Sequence, residues 1–363
     1  DAADADDIVD IDAEAMADDE ALRLFGAADM DVDNANGSIS IMAAGDDGDH
    51  LTGTLNIVAD DDGGEDSDVL TVSTGSNDTT IDAADADNVV DIDAAAMADD
   101  TTLTLSGAAE MIVGNANGSI TIEGNDDTLG ALTGELYIVA DGEDGQNPQL
   151  LDEDNAQGPI VFNEPSPVFG EDGDTLIVNT GINNTYITAL DGEDTVDIDA
   201  EAMVDGMILK LNGYADMDVE NANGSIVIQA DAVGGEDGPL FGTLTIVADD
   251  DGEGGVGDTL DVYTGTNDTY ITALDADDVV NIDTAAMDDD RNLLLFGAAN
   301  VDIDNANGAI HILADGQDGY ILTGTLNIVA DDDGVAGPGD TLKVYTGSND
   351  TTIDAADADN VVD

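Results

Sequence analysis

The chain has 363 residues, of which 85 are Asp or Glu and only 4 are Lys or Arg, giving a formal net charge of -81. That balance excludes nucleic acid and anionic membrane surfaces as partners, since both recruit Lys and Arg, and it selects cations. Hydrophobic residues nevertheless make up 42% of the sequence, unlike a disordered acidic tail, so an apolar interior must coexist with an acid coat.

Two like charges about 5 Å apart repel by roughly 1 kcal/mol in water, and by several-fold more beside a low-dielectric surface. Dozens of such contacts exceed the ~5–15 kcal/mol net stability of an ordinary domain. Divalent ions bound at the acids, or concentrated salt around them, must therefore neutralise the coat. There is no Cys, hence neither a disulfide framework nor a thiolate metal site. No apolar run reaches the roughly 18 residues of a membrane span, and no signal peptide opens the chain. The first residue is Asp1, not Met, and the chain reads as an excerpt of something longer.

In chain order the sequence resolves into repeats. VDIDAEAM at Val9 returns as VDIDAAAM at Val90, VDIDAEAM at Val196 and VNIDTAAM at Val280. NANG follows at Asn34, Asn115, Asn221 and Asn305, then a glycine of LTGTL type at Gly53, Gly134, Gly242 and Gly324, then TGxN with Gly75, Gly181, Gly265 and Gly347. Repeat 1 spans 1–81, repeat 2 82–187, repeat 3 188–271 and repeat 4 272–353, while 354–363 starts a fifth. Thr74 to Asp91 recurs without change at Thr346 to Asp363, so this stretch is a junction between repeats. Repeat 2 is longer by an insertion at about 141–173 that holds four of the six prolines; it is expected to form a surface excursion.

Within a repeat the hydrophobic period is two. Val9 and Ile11 flank Asp10; Leu22 and Leu24 flank Arg23; Met30 and Val32 flank Asp31; Ile39/Ile41, Leu55/Ile57 and Leu70/Val72 continue the pattern. Gly, Asn and Asp clusters part these runs and supply turns. The pattern predicts an all-β chain with seven or eight short strands per repeat, and at most one helical turn near Met16. Met16, Asn34, Gly53, Gly75 and Met97 lie 18, 19, 22 and 22 residues apart, which fits a repetitive β-solenoid, a β-helix-like rod with about four rungs per repeat. The alternative is a tandem of Ig-like β-sandwiches. The lack of Trp, an aromatic content of 3% and the Asn-rich turns favour the solenoid.

Three sets of acids recur. The junction loops hold Asp82, Asp85 and Asp87, then Asp191, Glu193 and Asp194, then Asp275, Asp277 and Asp278, then Asp354, Asp357 and Asp359. After the VAD strand end stand Asp60, Asp61 and Asp62, then Asp141, Glu143 and Asp144, then Asp249, Asp250 and Asp251, then Asp331, Asp332 and Asp333. Third are outward strand acids such as Asp10 and Asp12. The first two sets lie in phase at turns, where acids alternating with backbone carbonyls can supply the six to eight oxygens that calcium takes. A solvated acidic surface is the other reading, and for the strand acids the better one. No loop fits the EF-hand pattern.

GDTLIV at Gly173, GDTLDV at Gly257 and GDTLKV at Gly339 resemble a fragment of the glycine-aspartate nonapeptide of RTX-type calcium-binding proteins, without the strict G-G-x-G-x-D motif. The succession of VDIDAxAM, LxLxGxA, NANGSI, LTGTLxIVA and TGxNDTxI resembles the repeat regions of giant secreted bacterial surface proteins. The resemblance implies an extracellular structural role, in a surface filament, a surface layer or an adhesin stalk, with calcium stiffening the array. The open end of a stacked β array exposes unpaired strand edges, so neighbouring repeats or self-association are the expected partners.

NANG is expected to make a tight turn with positive φ, its Asn side chains bonding between rungs. NGS at Asn36, Asn117 and Asn223 and NDT at Asn77, Asn267 and Asn349 also fit the glycosylation acceptor pattern. Asn307 precedes Gly308 and Ala309, so turn chemistry explains all four NANG copies and glycosylation three. His50 and His311 occupy different repeat positions, and Arg23 and Lys210 are equivalent, outward between leucines. No basic residue clusters with the acids as a carbohydrate-active β-helix would want. An enzyme is not expected. The alternative, a salt-adapted surface protein of a hypersaline source, explains acids spread over the surface but not by itself their in-phase clustering at turns.

Overall fold

The computed structural model describes residues 5, 7–35, 37–44, 50–59, 68–116, 118–126, 130–140, 174–222, 224–231, 238–248, 257–276, 278–306, 309–315, 321–330, 341–348, 350–355 and 361–362. The expected excursion at 141–173 lies outside them. The described elements are all strands, and they form a parallel β-solenoid of about 11 turns. The sandwich alternative is thereby excluded, because its sheets are antiparallel.

Repeat 1 supplies seven strands: β1 (Ile8–Asp12), β2 (Ala21–Arg23), β3 (Asp29–Asp33), β4 (Ser40–Met42), β5 (Leu55–Ala59), β6 (Val69–Ser73) and β7 (Thr79–Ala83). Repeat 2 continues with β8 (Val89–Asp93), β9 (Thr102–Gly107), β10 (Glu110–Gly114) and β11 (Thr121–Glu123). A two-residue antiparallel hairpin follows, β12 (Asn125–Asp126) with β13 (Gly130–Ala131). Then come β14 (Leu136–Ala140), β15 (Thr175–Asn179) and β16 (Thr185–Ala189).

Two compact units divide between Asp197 and Ile198. In the first, one sheet runs β1-β3-β5-β7-β9-β11-β15 and the other β2-β4-β6-β8-β10-β14-β16, the hairpin aside. Each strand switches sheet, so two strands make one coil. All these neighbours pair in parallel. The second unit repeats the plan: Asp216–Glu220 pairs with Leu244–Ala248 and that with Thr269–Ala273, while Val279–Asp283 pairs with Asn300–Asp304 and that with Leu326–Ala330.

Seven strands per repeat is an odd number, and this corrects the expected rung count. A repeat makes three and a half coils, not four. The same motif therefore lands on opposite sheets in successive repeats. VDID of repeat 1 is β1 in one sheet, and VDID of repeat 2 is β8 in the other. In the second unit Asp216–Glu220 and its counterpart Asn300–Asp304 likewise lie in different sheets. The spacing of turn residues could not reveal this, because it counts turns and not which face they close.

Period-two alternation sends one face of each strand inward. Val9, Met30, Leu55, Thr79, Leu103, Ile122 and Val178 form one inward column, and Ile11, Val32, Ile57, Ile81 and Leu105 a second. From Met30 and Val32 onward these residues are at most 2% exposed. Burying each Leu, Ile or Met contributes about 1.5–3 kcal/mol, so the columns supply the cohesion that offsets the acid coat. The segment near Met16 is a single turn, closed by Met16 N–H donating to Ala13 O at 2.9 Å. Met97, Met203 and Met287 close the same turn onto Ala94, Ala200 and Thr284.

The recurring glycines mark where coils approach most closely. A Cβ on Gly53, Gly134, Gly242 or Gly324 would collide with the carbonyl oxygen of Ala28, Ala109, Ala215 or Ala299 one coil away. One inward feature is unfavourable: the hydroxyls of Thr185, beside Leu136, and Thr269, between Leu244 and Leu293, are buried without a hydrogen-bond partner. Thr269→Val should therefore stabilise the fold by about 1 kcal/mol, because it removes an unsatisfied buried hydroxyl. Gly134→Ala should cost about 3 kcal/mol or more through backbone displacement. Urea unfolding of the two variants against the parent measures both.

Candidate functional site

The recurring acids are the natural place to look for function, and their geometry is built from the coil ends. The last Asp of each VDID strand meets the first Asn of NANG one coil later. Asn34, Asn115, Asn221 and Asn305 all take the left-handed conformation, with φ of 53–56°. That conformation suits Asn at modest steric cost. It turns Nδ2 onto the carboxylate of the coil below: Asn34 on Asp12 at 3.1 Å, Asn115 on Asp93 at 2.9 Å, Asn221 on Asp199 at 3.0 Å and Asn305 on Asp283 at 2.9 Å. The same carboxylate accepts a turn N–H two residues on, from Glu14, Ala95, Glu201 and Ala285. These two donors hold the Asp12 carboxyl below its usual range, the Glu14 N–H contributing most. Positive φ at NANG is as expected, but its inter-rung partner is an Asp and not another Asn.

The junction loops use their acids in the same way. Asp85 Oδ1 accepts the Asp87 N–H at 3.0 Å, and Asp191 Oδ1 the Glu193 N–H at 3.0 Å. Asp194 and Asp278 accept the N–H of Asp174 and Asp258 from the preceding coil, at 3.0 and 2.9 Å. In repeat 1 that acceptor is Asn88, at 2.9 Å from Asp68 N. The structural counterpart of Asp194 and Asp278 is thus Asn88, and the counterpart of Asp87 is Glu193, which shifts the sequence matching of the first loop by one residue. An amide replaces an acid here without loss of the bond, so the position requires an oxygen acceptor and not a charge. Asn300 likewise accepts the Thr325 N–H where Asp29 and Asp216 accept those of Thr54 and Thr243.

A third device was not anticipated. Ser38 Oγ donates to Asp68 Oδ1 at 3.0 Å and accepts the Val69 N–H at 3.3 Å. Ser119 with Asp174 and Ser225 with Asp258 repeat it. These are the serines of the three NGS sequences, so a packing role accounts for them; the signal was the absence of Ser from the fourth copy, at Ala309. The NDT asparagines Asn77 and Asn267 donate Nδ2 to the carbonyls of Thr52 and Phe241 in the coil below.

On one outward ladder acids and amides alternate, whereas elsewhere acids adjoin, as Asp10 beside Asp31 and Asp283 beside Asp304. Asp261, Asn281, Asp302 and Asn327 follow one another up a sheet, with Asn281 donating to Asp261 at 2.7 Å and Asn327 to Asp302 at 2.6 Å. Strands sit about 4.8 Å apart, so each interposed amide doubles the spacing between like charges to about 10 Å, near the Debye length.

Of the residues predicted to bind calcium, Asp60, Asp61, Asp62, Asp141, Glu143, Asp144, Asp249, Asp250, Asp251, Asp277, Asp331, Asp332, Asp333, Asp357 and Asp359 lie outside the described residues. Asp82 points outward from β7 and Asp354 is exposed on its strand Thr351–Ala355. Asp191 is buried, whereas Asp85, Asp194, Asp275 and Asp278 are half-buried. Among the described residues no three His, Cys, Asp or Glu side chains come together as a metal-binding group. Of the described junction acids, Asp85, Asp191, Asp194 and Asp278 each accept a backbone N–H through one carboxylate oxygen.

The basic residues form no repeated site. Lys343 Nζ lies 3.0 Å from His311 Nε2, and His311 Nδ1 3.3 Å from Asn292 Oδ1. In repeat 2 alone, Glu110 and Glu135 stand beside the stacked pair Tyr137–Tyr186, whose rings are 4.4 Å apart and 4° from parallel. Burial raises the Glu110 carboxyl above its ordinary 4.5, with Glu135 adding to the shift. A carboxyl raised on folding contributes stability below its unfolded value and loses it as pH rises through the folded one. Glu110→Gln should therefore lose less stability than the parent between about pH 4 and 7, as urea midpoints across that range will record.

The acceptor role is checked by a pair of variants. Asp194→Asn should leave stability within about 0.5 kcal/mol of the parent, whereas Asp194→Ala should cost about 1–2 kcal/mol by stranding the Asp174 N–H. Comparison with protein-family models, with curated proteins and with solved structures gives no match.

Proposed function

We propose that this chain is a structural repeat segment of an extracellular or cell-surface protein, a stacked β scaffold that works in a cation-rich medium. The observation that carries this reading is the recurrence of the bonds between coils from repeat to repeat. The Asp–Asn bond between VDID and NANG occurs four times, in all four repeats. A catalytic centre or a single ligand site is a unique place in a molecule. Here the polar residues serve bonds that multiply with the number of coils, as a scaffold requires. Acid at the surface, in excess of what those bonds need, favours a setting where counterions are abundant.

A second reading has one observation in its favour. The acid triplets Asp60–Asp62, Asp249–Asp251 and Asp331–Asp333 all follow the end of the same strand type, after Ala59, Ala248 and Ala330. Calcium held there would stiffen the array at stoichiometric concentration, where diffuse screening needs molar salt. An adhesive, filament or surface-layer role would build on either.

Thermal unfolding separates the two. Under the first reading the midpoint rises by 10 °C or more between ~0.1 M and ~3 M KCl, and a chelator leaves it unchanged. Saturable stabilisation by about 1 mM calcium at low salt, abolished by the chelator, establishes the second. A midpoint that moves with neither rejects cation dependence altogether. Fractionation of the source cells tests location separately.

A further inference from the structure

Repeat 4 departs from its siblings on one outward face, and the departures line up. On the strands Thr269–Ala273, Asn292–Gly297, His311–Leu313 and Thr341–Tyr345 the central outward ladder is Tyr270, Leu294, Leu313 and Tyr345. In repeat 2 the same ladder, across β7, β9, β11 and β15, is Thr80, Thr104, Glu123 and Asn179. Where repeat 4 has Leu294, Leu313 and Tyr345, repeat 3 holds Lys210, Gln229 and Tyr263. Repeat 1 holds Arg23, Met42 and Ser73 there. Only repeat 4 sets two leucines between two tyrosines, all within the second unit. Tyr345 is 47% exposed, and Tyr270, Leu294 and Leu313 are half-buried.

The neighbouring outward column is equally distinctive. Asp268, Asn292, His311 and Lys343 stand on the same four coils, each two residues before its member of the apolar ladder. They are joined end to end. Asn292 donates its N–H to Asp268 Oδ1 at 2.8 Å and Nδ2 to Asp268 Oδ2 at 3.1 Å. His311 Nδ1 lies 3.3 Å from Asn292 Oδ1, and Lys343 Nζ 3.0 Å from His311 Nε2. The whole chain has four Lys or Arg and two His, so a Lys beside a His is a rare concentration of basic groups. The column is thus acidic at one end and basic at the other. Its internal bonds hold the side chains in place before any partner arrives, which lowers the entropic cost of an encounter.

We propose that this face pairs with the same face of a second copy of the chain, about a two-fold axis running along the strands between Asn292–Gly297 and His311–Leu313. Such an axis keeps the strand direction and reverses the order of the coils. The ladder Tyr–Leu–Leu–Tyr reads the same both ways, so it is its own complement. Tyr270 meets Tyr345 of the second copy, and Leu294 meets its Leu313. The same rotation sets Asp268 against Lys343 and Asn292 against His311, so the charged ends match twice over. A two-fold interface demands this self-complementarity. An axis along the ladder would instead set each residue row against itself and lose the Asp268–Lys343 match. The ladder is only about 14 Å long, so the contact is small and the pairing weak and reversible. The net charge of -81 on each copy opposes approach until salt screens it. The pairing builds on the scaffold reading above, to which it adds a lateral contact. Its test reads mass and not stability, so either can fail alone.

Sedimentation equilibrium of the intact chain, at up to ~200 µM in ~1 M KCl, should show a reversible monomer–dimer equilibrium. A monomer throughout overturns the proposal. Leu294→Thr combined with Leu313→Glu installs the residues that repeat 2 holds at Thr104 and Glu123. This variant should raise the dimer dissociation constant by about tenfold or more. An unchanged constant assigns the contact to another surface and overturns the proposal. Cysteines read the register, since the chain has none of its own. A bis-maleimide with a spacer of about 8 Å reaches between facing positions of sheets packed about 10 Å apart, but not between like positions offset by a further 14 Å or so along the ladder. A mixture of Tyr270→Cys and Tyr345→Cys chains should therefore cross-link as the heterodimer at least about tenfold faster than either variant links to itself. Equal rates, or faster linking within one variant, overturn the proposed axis and with it the pairing.

Discussion

Each coil rests in register on the coil before it, and every other feature of the molecule answers to that constraint. Parallel strands about 4.8 Å apart place equivalent side chains in columns. Inside, columns such as Leu55, Thr79 and Leu103 exclude water and hold the coils together. At the turns the same closeness leaves no room for a Cβ at Gly53 or Gly134. Outside, it would set like charges side by side, at a cost of about 1 kcal/mol for each adjacent pair even in water.

The chain meets that electrostatic difficulty locally. Its carboxylates face donors: turn N–H groups, Asn side chains and Ser hydroxyls from the neighbouring coil. Asp12 binds both Glu14 N–H and Asn34 Nδ2. Amides alternate with acids up the outward ladder at Asp261, Asn281, Asp302 and Asn327. The same residues therefore define the coat and fasten the turns. Substitution of Asn88 for the acid found at Asp194 and Asp278 separates the two roles, since the bond survives where the charge does not.

The half-coil offset of each repeat has a functional consequence. Because three and a half coils separate equivalent strands within each unit, a surface feature written once per repeat is displayed on both sheets in turn. Repeat 4 breaks that equivalence on one face, where Leu294 and Leu313 replace the Thr and Glu of repeat 2. Differentiating a single repeat is the economical way for a uniform array to acquire a distinct surface, because neighbouring coils keep their registers unchanged.

The amino-acid pattern by itself determined the all-β class, the inward residues and the positive φ at NANG. These follow from local rules: period two assigns faces, and Asn or Gly at fixed intervals assigns turns. The preference for a solenoid over sandwiches came from the same spacings and from the scarcity of aromatics. What tertiary structure alone decided was which residues meet across coils. Asp12 and Asn34, or Ser38 and Asp68, are 22 and 30 residues apart, and nothing local pairs them. The odd number of strands per repeat was also hidden, because spacing along the chain is blind to which sheet receives each strand. For that reason the bonds that Asp85, Asp191, Asp194 and Asp278 make to backbone N–H groups of the turns and of the preceding coil were not legible in the sequence.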